Sequence, residues 1–293
     1  MDKTWQDKLP PAGSFIIKDQ YKMQELLDIM AFLRSDAGCP WDRAQTHASL
    51  RKNLLEEAYE AIDAIDSGDP RRLCDELGDV LMQVVFHAQL AMEAGTFTFA
   101  DVIGAICRKL ISRHTHIFGD DQALTPDAVV DTWEKNKLKE KGLQNQAQVL
   151  QDVPRSLPAL QRSYKIQQKA AQVGFDWDDA SGPRAKIDEE LKEIEHCLAE
   201  NQKLLHAGRL TPDAADRALA GEVGDLLFAA VNYARHLKVQ PEMALNGTNE
   251  KFIRRFSQLE VLAREHGQDL AEMSLAEMDV LWERVKHEER KGQ

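Results

Sequence analysis

Cysteine is scarce and scattered in this 293-residue chain. The four, Cys39, Cys74, Cys107 and Cys197, form no CxxC pair, so neither a thiolate zinc site nor a disulfide framework is expected. A reducing compartment suits that usage. Glycine (16) and proline (10) are too few for a fibrous or low-complexity chain. No stretch approaches the roughly 20 uncharged apolar residues of a membrane span, and the amino-terminal MDKTWQDKLPPAGSFIIKDQ has no apolar signal core. The expectation is a cytoplasmic protein that does not enter membranes. Positive charge is in deficit: 37 Lys and Arg against 49 Asp and Glu leave a formal charge of -12. That balance repels nucleic-acid backbones and anionic membrane surfaces, so neither is an expected partner. Alternating strand patterns are missing too, the short apolar run at residues 15–17 standing alone.

What is present is helical. Apolar residues recur at three and four in Leu55, Ala58, Ile62 and Ile65, and again in Ile187, Leu191, Ile194 and Leu198, the spacing of one helix face. The fold class is therefore all-α. With 43% hydrophobic residues the chain has enough apolar material for a packed core.

One unit is used twice. GCPWD at residues 38–42 is echoed by GFDWD at 174–178. Each is followed by ExxE (Glu57 and Glu60; Glu190 and Glu193) and then ExGD (Glu76 and Asp79; Glu222 and Asp225). A basic pair four residues apart follows (Lys109 and Arg113; Lys251 and Arg255), then WxxxK (Trp133 and Lys137; Trp282 and Lys286). Any one pair arises easily in a charged helical protein, but five in one order point to duplication. The polar, proline-bounded segment at residues 139–158 reads as the linker, which places the boundary near residue 150 and the two tandem homologous helical units at 1–150 and 151–293. ExxE and ExGD stand further apart in the second half, where HAGRLTPDAADRALAG intervenes.

Residues three apart share a helix face, so Glu190 and Glu193 project together, as do Glu222 and Asp225. Two ionised carboxylates about 5 Å apart repel by roughly 3 kcal/mol at an effective dielectric near 20. Four in one cleft need a counter-charge. All-oxygen ligation without Cys or paired His favours Mg²⁺, with Mn²⁺ as substitute, and Mg²⁺ completes its shell with water and phosphate oxygens. An isolated ExxE is ordinarily a solvated helix face; pairing with ExGD, twice, favours metal binding. Gly78 and Gly224 inside the ExGD motifs cost about 1 kcal/mol each against alanine in a helix, which close helix approach or ligand access would explain. Lys251 and Arg255 suit phosphate oxygens, against the plainer reading of surface ion pairs with Glu250 or Glu260. Trp282 and Lys286 suit a base and a phosphate, against core filling. Asn232, on the Asp225 face, suits a sugar or phosphate contact, and equally capping or a core hydrogen bond. Glu193 and His196 make an ExxH of the kind that holds bridged iron, but that design needs a second ExxH and Asp63 stands at the first-half position.

The runs at residues 38–66, 75–91 and RHTHIFGD at 113–120 closely resemble MazG nucleoside triphosphate pyrophosphohydrolases, and the second half is similar through LPALQRSYKIQQKAAQVGFDW, GEVGDLLFAAVNYARHL and NEKFIRRF. The resemblance covers nearly the whole chain. It implies an all-α homodimer that cleaves nucleoside triphosphates between the α and β phosphates with Mg²⁺, giving the monophosphate and pyrophosphate. It also implies metal binding at Glu190, Glu193, Glu222 and Asp225. Nucleotide contacts carry over to Lys186, Glu189, Glu190, Asp225, Lys251, Arg255, Trp282 and Lys286, with hydrolysis assigned to the C-terminal half. In the mechanism expected, Lys251 and Arg255 neutralise developing charge and Glu189 orients or deprotonates the attacking water. Glu57, Glu60, Glu76, Asp79, Lys109 and Arg113 form a possible second site. Thr115, where the family commonly has proline, and the insertion near Pro212 depart from the pattern. Two rivals stand: a non-catalytic nucleotide- or protein-binding regulator with a structural metal site, and a narrower pyrophosphohydrolase for dUTP or a phosphoribosyl nucleotide.

Overall fold

The computed structural model describes residues 5–121, 125–143 and 145–291, with the backbone alone at 127, 130, 131, 135, 138, 139 and 141. Among these no strand is present, and no helix is long and apolar enough to cross a membrane. The chain divides into two units, Met1–Glu140 and Lys141–Gln293.

The first unit holds α1 (Met23–Arg34), α2 (Pro40–Ala44), α3 (Arg51–Ser67), α4 (Pro70–Glu93), α5 (Phe99–Arg113), α6 (Thr115–Phe118) and most of α7 (Pro126–Lys141). The second holds α8 (Gln146–Gln151), α9 (Ala159–Ala171), α10 (Ser181–His206), α11 (Pro212–His236), α12 (Pro241–Glu265) and α13 (Leu275–Lys291). In each, a long helix hairpin carries the acidic motifs: α3 with α4, and α10 with α11.

Local chemistry sets the hairpin ends. Gly68 takes φ +69° after α3, a left-handed conformation that glycine adopts without penalty. Asp69 then caps α4 by accepting from the Arg71 backbone N–H at 2.9 Å, with Pro70 in the first turn. Thr211 and Pro212 start α11 in the same way. The insertion goes mostly into helix: α10 continues 13 residues beyond Glu193 where α3 continues seven beyond Glu60.

Core packing in the first unit gathers Met30, Leu50, Val85 and Phe86. In the second, Leu259, Leu262, Ala263, Leu281 and Val285 close α12 onto α13. The two apolar stripes are helical as expected but only partly covered, with Ala58, Ile62, Ile187 and Ile194 half-buried. Leu55 and Ile65 are 57% and 60% exposed, Leu191 and Leu198 45% and 49%. α3 instead buries Ala61 and Ala64, small side chains that let helix backbones approach closely.

The segment read as a linker is partly helical. Asn145 caps α8 by accepting from the Gln148 N–H, and Val149 and Val153 are buried at 4% and 2% exposure. Six residues of helix are too short for periodicity to reveal.

Candidate functional site

In α10 and α11 the helical spacing carries the acidic residues to one place. Carboxylate oxygens of Glu190, Glu193 and Glu222 lie within 4.8 Å of one another. Asp225 joins Glu190 and Glu193 in lining a pocket of about 530 Å³. Glu190 is buried, with Oε1 2.7 Å from the Lys186 ammonium and Oε2 lacking any hydrogen-bond partner. The neighbouring Glu190 carboxylate, followed by burial, pushes the Glu193 carboxyl above its ordinary value. Two carboxylates this close share a proton unless a cation replaces it. Hydrogen bonds to Glu190 and Glu189 in turn raise Lys186.

The donor set therefore fits a hard divalent cation: all-carboxylate, negatively charged in excess of its one lysine, and with a buried oxygen left unpartnered. Glu190, Glu193, Glu222 and Asp225 are the residues that would hold it.

The rest of the pocket is apolar. Ile166, Phe175, Trp177 and Phe228 line it beside Asn232 and Arg235. Along α11 it runs from Asp225 to Arg235, ten residues or about 15 Å of helix, a length that suits a nucleotide better than inorganic phosphate. The GFDWD segment builds this wall. Asp176 accepts from Arg235 Nη1 at 2.9 Å and Nη2 at 2.5 Å and sits 2.9 Å from His236 Nε2. The Arg235 hydrogen bonds, chiefly, hold the Asp176 carboxyl at about 2. Trp177, next along, lies so close to the first turn of α10 that a Cβ at Gly182 would overlap its ring.

Gly224 and Gly78 have open space instead. A Cβ at either meets nothing within 4 Å among the described residues, so close helix packing does not explain them and ligand access remains. Gly224→Ala is expected to stabilise the helix by roughly 0.5–1 kcal/mol, read as a higher midpoint in thermal melts. An unchanged or lower midpoint would mean the backbone there needs glycine.

The other expected contacts lie elsewhere in the second unit. Lys251, Arg255, Trp282 and Lys286 sit on α12 and α13, and none lines the pocket. Trp282 packs on Phe252 with ring centroids 5.2 Å apart. Lys286 pairs with Glu283 at 2.5 Å. Arg255 donates to Glu289 through Nε at 2.8 Å, with Nη2 2.7 Å from the same oxygen. Glu189 is exposed and held by Lys186 at 3.0 Å, outside the pocket lining.

The first unit repeats the acidic cluster. Oxygens of Glu57, Glu76 and Asp79 lie within 4.8 Å. Burial, then Asp79 and Glu60, push Glu57 up, and burial, then Glu76, pushes Glu60 up. Arg113, buried, donates to Glu140 at 3.0 and 2.7 Å and lies over Trp133 at 5.3 Å, while Lys109 is exposed. Glu140 and Glu289 went unread in the sequence, although each stands seven residues after its repeat tryptophan. At Thr115 the hydroxyl donates to Asp121 at 2.6 Å.

The two acidic sites differ in their surroundings. With the ExxE and ExGD motifs superposed, Lys186 corresponds to Asn53 and Asn232 to Phe86. Only the second unit places a lysine one turn ahead of its first ligand.

The chain is similar to known proteins over most of its length. Residues 45–118 match the MazG nucleotide pyrophosphohydrolase domain. The chain is 44% identical over 264 residues to a nucleoside triphosphate pyrophosphohydrolase/pyrophosphatase MazG of Thermotoga maritima, covering 90% of this chain and 95% of that protein. It is 43% identical over 269 residues to a nucleoside triphosphate pyrophosphohydrolase of Escherichia coli, covering 92% and 98%. An uncharacterized protein of Bacillus subtilis is 44% identical over 264 residues, which is 51% of its length.

Proposed function

Because the chain belongs to the MazG family of nucleotide pyrophosphohydrolases, we propose that its second unit is the catalytic one, and that it converts nucleoside triphosphates to the monophosphate and pyrophosphate with Mg²⁺. The observation that carries this is the joining, in one pocket, of a carboxylate cluster to an apolar, aromatic-lined extension long enough for a nucleoside. Mn²⁺ fits the same oxygens.

A bound divalent ion supplies charge neutralisation at the phosphates and lowers the pKa of a coordinated water. The residues of the chain do the rest. Glu190, Glu193, Glu222 and Asp225 fix where the charge sits, and Lys186 orients Glu190 by its 2.7 Å contact. Trp177 and Phe228 offer ring faces to a base and exclude water from that end. Glu189, one position from Glu190, orients a water on this reading.

Lys251, Arg255, Trp282 and Lys286 act, on this reading, from a second copy of the chain. The exposed apolar residues Leu191, Leu198, Val223 and Leu227 on the acidic hairpin, and Phe252 and Ile253 on α12, support a homodimer. Sedimentation equilibrium should give twice the chain mass of 33.1 kDa; a monomer at micromolar concentration would remove this part of the reading. All four cysteines are free, which supports a cytoplasmic setting.

Chromatographic product analysis tests the reaction. ATP with Mg²⁺ should give AMP and pyrophosphate, with no turnover after chelation. ADP and phosphate would mean attack at a different phosphorus, and the absence of any product would leave the chain a binding protein.

A further inference from the structure

Gln167, on α9, is 6% exposed and lines the same pocket as the carboxylates. Its amide nitrogen donates to the Phe228 backbone carbonyl at 2.8 Å. A carbonyl accepts only from the nitrogen end of the amide, so that bond fixes which end faces away from α11. The other end, Oε1, has no hydrogen-bond partner. A buried acceptor left without a donor costs roughly 1–3 kcal/mol, and such groups in native proteins ordinarily have a reason.

Asn232, also in the pocket wall, is oriented just as firmly. Arg235 donates to its Oδ1 from Nε at 2.9 Å and Nη2 at 2.7 Å, which leaves the Asn232 amide N–H groups as its free end. Two amide side chains thus line the pocket among aromatic and aliphatic ones, each with one end fixed by a hydrogen bond. That is how a cavity reads the edge of a flat heterocycle.

We propose that Gln167 Oε1 accepts a hydrogen bond from the pairing edge of the base, and so makes a free N–H on that edge the feature by which substrates are selected. The inference rests on the nucleotide reading given above. Every common base has such a donor: the exocyclic amine of adenine or cytosine, N1–H of guanine, N3–H of uracil or thymine. One acceptor therefore tolerates all of them. It penalises bases whose edge has lost the donor, by alkylation or by absence of the amine, because burying such an edge leaves Oε1 still unpaired.

The test compares ATP with two analogues lacking an edge donor, purine riboside 5′-triphosphate and N6,N6-dimethyl-ATP, in the wild-type protein and in Gln167→Met. In the wild type, kcat/KM for ATP should exceed that for purine riboside triphosphate about tenfold, the effect of one neutral hydrogen bond. The dimethyl analogue should be at least as poor. Gln167→Met keeps the side-chain volume and should bring the ratio of kcat/KM for ATP to that for purine riboside triphosphate down to about one, any loss from the unpaired Phe228 carbonyl falling on both substrates alike, with helix content by circular dichroism showing that the variant is folded. Equal kcat/KM for ATP and purine riboside triphosphate in the wild type overturns the proposal without any variant. A tenfold preference that survives in Gln167→Met assigns the selection to another group and overturns it too. Failure of the wild type to turn over ATP at all is a separate result, which removes the enzymatic reading.

Discussion

Glu190→Gln should lower kcat for triphosphate hydrolysis by about 10³-fold or more, with helix content and oligomeric state unchanged. Gln keeps the shape of Glu190 and an oxygen for Lys186, which sits 2.7 Å away, but removes the one fully buried charge of the cluster. A 10³-fold loss corresponds to about 4 kcal/mol of transition-state stabilisation, within the several kcal/mol that a correctly held divalent ion supplies. Steady-state rates across a Mg²⁺ titration check this, and turnover within threefold of wild type at saturating Mg²⁺ would sink the assignment of Glu190 as a ligand. Glu57→Gln, the matching change in the first unit, should leave most of the activity. Its surroundings lack the lysine and the asparagine, with Asn53 and Phe86 in their places. A large loss from Glu57→Gln with none from Glu190→Gln would move the reaction to the first unit.

Asp176→Ala should cost the second unit about 3 kcal/mol, because it leaves Arg235, only 12% exposed at its side chain, as a buried cation without its carboxylate. For a unit of this size the thermal midpoint should fall by roughly 6–12 °C. The pH dependence follows from the same ion pair. The folded-state value of Asp176 is depressed to about 2, below the ordinary aspartate value near 3.9. Its contribution is therefore complete above about pH 4 and is lost as pH falls toward about 2. In Asp176→Ala that acid-dependent segment should be missing from a plot of unfolding free energy against pH, measured by denaturant titration. A variant with the wild-type profile would show that Arg235 finds another partner.

The acidic residues were legible in the sequence because their geometry is local. Three-residue spacing on a helix places two carboxylates on one face whatever the tertiary structure, and two such helices in sequence make a hairpin. The apolar wall was not legible. Ile166, Gln167 and Phe228 sit in unremarkable helical sequence, and only the packing of α9 against α11 makes them a pocket. The stripe Leu55, Ala58, Ile62, Ile65 shows the opposite failure: its period is helical, but the helix buries Ala61 and Ala64 instead. Periodicity locates an apolar face without saying whether the chain itself covers it. Arg113 and Arg255 share a further difficulty. Their partners Glu140 and Glu289 lie 27 and 34 residues away, beyond any helical spacing rule.

The short helix α8 bears on how the two halves can be studied apart. Pro158 looks like a natural starting point for a C-terminal fragment, just beyond the polar stretch. A fragment begun there would discard Val149 and Val153, both buried, and Leu150, which forms part of the pocket wall. It would expose a gap in its own core beside the substrate site, and weak activity in such a piece would report on the cut instead of on the missing half. Dissection of the duplicated protein therefore has to keep Asn145 and everything after it.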